Sequence, residues 1–282
     1  MRALADSIMK GRSQAVMIVV IAAMLPLLYW VSAAGVSLIT LRRGVSDGIK
    51  ILFWAMLPAL LWSLSGDPSA LAVILASFIL AVLLRESRSW PRVLIALVPI
   101  GVLISYLLEM LLGTRVDLWA EIAQQLMQQP SATNSQAMFT NMSMRSVVLG
   151  ALTGFHALAV LLVLMLARSW QAALFNPGGF REEFHELRLP AWFAILLLAG
   201  VVLGGTLGLD MVRWYALLLM PLFIAGVAWV HWLVARRGFG KTWLITLYVM
   251  LLFFGPYLMT LLVFLALIDA CFDLRKGIPA GN

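Results

Sequence analysis

Residues 146–167 read SVVLGALTGFHALAVLLVLMLA, a stretch with no Asp, Glu, Lys or Arg. As an α-helix it would rise about 33 Å, enough to cross a hydrocarbon core of roughly 30 Å. Its apolar residues show no polar face, so every side of the helix is expected to meet lipid or other helices. Ser146, Gly150 and Gly154 recur at every fourth position. Small residues at that spacing let two helix backbones approach closely in lipid. Gly200, Gly204 and Gly208 repeat the pattern later in the chain, and both sets are expected at helix–helix contacts.

Working outward, apolar segments of the same kind lie at about 13–41, 51–66, 69–84, 92–113, 191–209, 214–235 and 242–268. Apolar types make up 63% of the 282 residues and charged types 12%, about half the charge of a soluble domain. The mean hydropathy is +0.99. The chain therefore reads as one all-α integral membrane domain over 1–282, a polytopic bundle of eight to ten hydrophobic helices. The net charge of +7 is spread as short basic clusters between apolar runs. Such clusters set membrane orientation and attract anionic lipid, so the lipid bilayer and not nucleic acid is the expected partner. The one cysteine, Cys271, excludes a disulfide framework and a multi-cysteine metal site.

Two segments are too long for one straight span, and each is interrupted: 13–41 by Pro26 and 242–268 by Gly255-Pro256. Proline lacks a backbone donor and clashes with the preceding turn. Eight single spans would divide the 20 basic residues 12 to 8. If both long segments are hairpins, only Arg115, Arg145 and Arg213 stay on the outer side, as the positive-inside rule prefers. The hairpin is preferred for 13–41, a single kinked helix stays open for both, and the termini are expected in the cytoplasm. Trp90, Trp170, Trp192, Trp214 and Trp243 fall at segment ends, where indoles favour the headgroup level.

Between 114 and 145, Val116, Trp119, Ile122 and Leu126 recur at helical spacing, so 116–128 is expected as an interfacial amphipathic helix, with an irregular polar stretch over 131–143. The loop 168–190 contains Asn176-Pro177-Gly178-Gly179, a strong turn signal. After it, Phe180, Phe184 and Leu187 share one helical face, with Arg181, His185 and Arg188 beside them. Intramembrane ionisable groups are functional candidates by default. His156 lies mid-span and Glu109 sits beside Tyr106 near a span end; Asp210 and Arg213 flank a short turn and are expected to pair structurally. No phosphate-binding glycine loop, zinc-binding His-Glu-x-x-His or nucleophile elbow is present. No catalytic residue, cofactor or metal is expected.

Leu41-Arg42-Arg43-Gly44, the Asn176-Pro177-Gly178-Gly179-Phe180 to Leu187-Arg188-Leu189-Pro190 stretch, and Asp269-Ala270-Cys271-Phe272-Asp273-Leu274-Arg275 resemble the YybS-like family of bacterial membrane proteins, a domain of unknown function, over nearly the whole chain. That family is in turn distantly similar, over about 13–167, to substrate-binding subunits of energy-coupling-factor vitamin transporters. The resemblance implies a bacterial cytoplasmic-membrane protein whose residues 13–167 form a six-helix core around a small-molecule cavity, with scaffold and ATPase partners. The chain departs from it in two ways: it lacks a clear Ala-x-x-x-Ala docking motif within 13–25, and after loop 168–190 it has additional helices over 191–282 that are not part of that six-helix core. The first expectation is a small-molecule binding or transport-related subunit, with His156, Glu109 and Tyr106 lining the ligand site and 116–128 as its lid. The alternative is a non-enzymatic scaffold that recruits a membrane or cytoplasmic protein through Phe180, Arg181, Phe184, His185, Leu187 and Arg188.

Overall fold

A computed structural model of the chain describes residues 2–127 and 143–277. These form an all-α bundle, and no strand occurs among the described residues. In chain order the helices are α1 (Arg2–Lys10), α2 (Arg12–Met24), α3 (Tyr29–Arg43), α4 (Val45–Leu64), α5 (Ser69–Ser87), α6 (Trp90–Met127), α7 (Met144–Phe175), α8 (Gly179–Glu186), α9 (Ala191–Leu203), α10 (Met211–Arg236), α11 (Thr242–Phe253) and α12 (Gly255–Phe272), with a 3₁₀ turn at Leu274–Gly277. Six of them, α4, α5, α6, α7, α10 and α12, are long and apolar enough to cross a membrane; α8 and α9, bent by 64°, would together make a seventh. The irregular stretch expected over 131–143 lies, except for Ser143, outside the described residues.

Both long segments are broken. At Pro26 the chain reverses, so that Arg43 Nη2 donates to the Met9 carbonyl at 2.6 Å, and Gly35 packs against Val19 and Ile8. The pairs 9/43 and 19/35 are centred on residues 26 and 27, the signature of an antiparallel hairpin. At Phe254 the second segment also folds back. Leu247, Leu262 and Val227 share one apolar cluster with Leu251 and Leu258 against it, whereas 247 and 262 would lie about 22 Å apart on a straight helix.

The α2–α3 turn sits level with Phe155 of α7, where Tyr29 and Trp30 meet it, while Leu41 meets Gln171. That is about 24 Å along α7, less than a membrane's hydrocarbon thickness, so lipid covers the turn. Its exposed residues are accordingly apolar: Leu25, Leu27 and Leu28. Backbone groups in lipid must find partners within the protein. Two indoles supply them: Trp62 Nε1 donates to the Met24 carbonyl (3.2 Å) and Trp30 Nε1 to the Leu27 carbonyl (2.9 Å).

Helix α3 is the axis of the N-terminal half, buried without interruption from Val31 to Leu41 and enclosed by α2, α4, α5 and α7. Gly44, at φ 111°, makes the abrupt turn from α3 into α4, a conformation closed to residues with a Cβ. The 38 residues of α6 rise about 57 Å. Residues 116–127 are therefore not a separate interfacial helix but the far end of α6, held by buried Val116 and Ala120 and by an Asp117–Arg145 ion pair of 2.8 Å to the start of α7. Trp90 and Trp170 are buried against neighbouring helices, whereas Trp192 and Trp243 are exposed at helix starts.

The glycine pattern divides. A Cβ on Gly150 would lie 2.7 Å from the Val212 carbonyl oxygen, and one on Gly154 2.7 Å from Ala216 Cβ. These two do form a close seam, between α7 and α10 within the chain. Gly200 has only ordinary contact space beside Leu218, Gly204 meets Met211 at the end of α9, and Gly208 lies in a turn at φ 74° with nothing near it. The second series is thus a helix terminus. The close approach there is made by Gly226, against the Leu262 backbone of α12.

Candidate functional site

The expected polar residues fall into separate places. Glu109 is fully engaged. Its Oε2 accepts from Arg213 Nη1 at 2.7 Å and its Oε1 from Arg145 Nη1 at 2.6 Å. Arg213 also donates from Nε to Ser105 Oγ at 2.9 Å, and its guanidinium lies 4.8 Å from the ring centres of both Tyr106 and Trp214. Tyr106 and Glu109 are thus together, but around an arginine. Asp210 caps α10 by accepting from the Arg213 backbone N–H and from the Ser146 hydroxyl. The side-chain partner of Arg213 is Glu109 across the bundle, not Asp210. Sequence reading missed Arg145 and Arg213 as a pair because they come from different helices; the signal was that they are two of the three basic residues left on the outer side.

His156 stands apart from this network. Its Nδ1 is 2.7 Å from the Leu152 carbonyl oxygen and its Nε2 3.1 Å from Ser69 Oγ. A carbonyl only accepts, so Nδ1 carries the proton and Nε2 accepts from the serine. Both ring nitrogens are satisfied inside the α5–α7 interface.

The α8 segment turns its apolar face inward. Phe180 packs on Trp90 and Phe184, and Phe184 on His231; Leu187 is 1% exposed. The polar residues of this stretch are held by the C-terminus. Arg188 donates to the Asp269 and Ala270 carbonyls and pairs with Asp273 at 3.0 Å. Arg275 pairs with Asp269 at 3.0 Å and donates to the carbonyls of His185 and Leu187. Of the residues expected to receive a partner, Leu187 is buried, Phe180, Phe184, His185 and Arg188 are half-buried against the protein, and Arg181 is exposed. Lys276, with Arg188 and Arg275 nearby, holds the Asp273 carboxyl below its usual range.

A polar cavity lies at the arginine-rich end, where α3, α5 and α7 finish. A cavity of about 680 Å³ is lined there by Arg42, Arg85, Arg88 and Arg168 with Glu86 and Glu183. Each arginine is placed by a different device. Arg168 is paired with Glu183, Nε donating to Oε2 at 3.0 Å, and Trp90 Nε1 bonds the same oxygen at 3.1 Å. Arg85 donates to the Leu41 carbonyl at 2.6 Å, at the end of α3. Arg42 lies over the Phe175 ring at 4.1 Å. Arg88 closes α5 in the left-handed conformation, φ 48°, unusual for a side-chain-bearing residue. Four guanidinium groups face two carboxylates, so the cavity carries a net positive charge. Arg42 and Arg88 have no acidic partner among the described residues. Guanidinium forks match carboxylate and phosphate oxygens in two-point contacts, so the arrangement suits a small anion. Sequence reading saw Arg42, Arg85 and Arg88 only as orientation signals, since nothing in their spacing tells that α3, α5 and α7 end together.

Among the described residues no group of three or more His, Cys, Asp or Glu is placed to hold a metal ion. No protein-family model, curated protein or solved structure matches this chain.

Proposed function

We propose that this multi-pass membrane protein is a non-enzymatic binding or transport-related subunit whose site is the arginine-lined cavity, and that its ligand is a small anionic molecule. The observation that carries the reading is the coincidence of an open volume of about 680 Å³ with two guanidiniums in its wall, Arg42 and Arg88, that have no acidic partner among the described residues. The site moves from His156, Glu109 and Tyr106 because the hydrogen-bonding capacity of Glu109 and His156 is used within the protein. With its arginines on the cytoplasmic side by the positive-inside rule, the cavity opens to the cytoplasm of a bacterial cell. The likeness to transporter substrate-binding subunits supports a binding role, and α2 to α7 supply six helices over the range that likeness covers. The scaffold alternative through loop 168–190 has less support, since Phe180, Phe184 and Leu187 are used in internal packing.

The test is binding of inorganic phosphate and pyrophosphate to the purified full-length protein by isothermal calorimetry. Saturable binding that falls at least tenfold in Arg42→Met and Arg88→Met is expected. No binding of either anion, or binding by either variant equal to that of the unaltered protein, overturns the assignment.

A further inference from the structure

We propose that the lipid-facing side of α7 carries a groove for one acyl chain of an anionic phospholipid, its phosphate held at Arg181. This site is independent of the arginine-lined cavity. Helix α8 separates the two, with Glu183 on the cavity side and Phe184 on the groove side.

Two hollows along α7 share Leu162 and Leu166 and so form one continuous groove. The first, about 330 Å³, lies between Phe155 and Leu158 of α7 and Tyr29 and Trp30 of α3. Its walls are apolar and aromatic. The second, about 450 Å³, runs on past Met165 to Ser169 and ends among Arg181, His185, His231 and Tyr248. From Phe155 to Ser169 is about 21 Å along the helix. One leaflet of hydrocarbon is about 15 Å deep, half of a roughly 30 Å core, so an acyl chain fits the groove lengthwise.

The groove faces outward, because Phe155 and Leu162 are more than half exposed. It differs from a bare helix face in having a wall beside each half, the start of α3 along the first hollow and α8 with α11 along the second. Its polarity changes along its length in the order an amphiphile requires. At the polar end His231 Nε2 and Tyr248 OH are joined by a 2.8 Å hydrogen bond, which fixes the wall. Arg181 is exposed there and has no acidic partner among the described residues. Its guanidinium matches a phosphate in two-point geometry, and no carboxylate lines this hollow. A net anionic headgroup is therefore preferred to a zwitterionic one, and anionic lipid is what a basic membrane surface recruits.

The test uses the full-length protein in mild detergent with phosphatidylglycerol or phosphatidylcholine of matched chains, read by native mass spectrometry. One retained phosphatidylglycerol is expected, with at least tenfold preference over phosphatidylcholine. Leu162→Trp, which fills the point shared by both hollows, should lower retention at least tenfold. Leu261→Trp, on the exposed face of α12, should not. Arg181→Gln alters an exposed side chain and should leave the fold intact while bringing the two lipids to equal retention. Equal retention of both lipids by the unaltered protein, or retention unchanged in Leu162→Trp or in Arg181→Gln, overturns the proposal. Loss of anion binding in the cavity variants has no bearing on this result, so the two sites fail or stand separately.

Discussion

Truncating Glu109 is expected to destabilise the bundle strongly, and the structure says by how much. Its carboxylate serves two arginines of very different exposure. The Arg213 side chain is 10% exposed and that of Arg145 41%, with Glu109 itself at 24%. Glu109→Leu leaves Arg213 charged and buried, with only the Ser105 hydroxyl and two aromatic faces as partners. Breaking a buried ion pair from one side costs about 3–5 kcal/mol. The Tyr106 and Trp214 rings return about 1 kcal/mol of that, so a loss of about 3 kcal/mol is expected. Arg145→Leu removes a mostly solvated pair and should cost no more than about 1 kcal/mol. The double variant Glu109→Leu/Arg213→Leu removes both charges and should fall within about 1 kcal/mol of the unaltered protein, so the two changes are strongly non-additive. Reversible unfolding in mixed micelles with increasing dodecyl sulfate, followed by tryptophan fluorescence, measures all five proteins, the single variant Arg213→Leu included. A loss below about 1 kcal/mol for Glu109→Leu, or a double variant as unstable as the two single changes combined, would refute the reasoning.

Three other outcomes are expected. Gly150→Ala places a methyl against the α10 backbone, which cannot yield, and should cost about 1–3 kcal/mol; Gly200→Ala has room and should be neutral or slightly stabilising, both by the same unfolding assay. Trp62→Phe leaves the Met24 carbonyl without its indole donor in the α2–α3 turn and should cost about 1 kcal/mol; Trp54→Phe, whose side chain is exposed on the same helix, serves as the control. Asp273 has its carboxyl held below the ordinary range, so its contribution is present above the unfolded value of about 3.9 and is lost as pH falls through the lower folded one. Amide exchange over 269–277, corrected for its intrinsic pH dependence, should therefore rise below about pH 4, and Asp273→Asn should show the faster exchange already at pH 7.

What the sequence determined by itself is whatever depends on local composition. Segments such as 146–167 without Asp, Glu, Lys or Arg must be membrane helices, because a bilayer offers the backbone no other partner. Pro26 had to break the first long segment, and the distribution of basic residues already favoured a hairpin over a kink. Gly150 and Gly154 were legible as a packing face because their spacing follows from helix geometry alone. Tertiary structure decided everything that depends on which helices end side by side. Gly200, Gly204 and Gly208 have the same spacing as the first glycine series, yet they mark a terminus, since spacing does not reveal whether a neighbour arrives. Residues 116–127 have amphipathic spacing in either case; packing on α7 and the pair with Arg145 made them the end of α6. The polar residues followed the same rule. Glu109 and His156 were conspicuous because charge and imidazole are rare in lipid, but that rarity signals only that a partner must exist. Whether the partner is a ligand or another side chain is a matter of distance between helices. Here Arg213 and Ser69 came close enough to satisfy them, while Arg42 and Arg88, without an acidic partner among the described residues, came together at the common end of α3, α5 and α7.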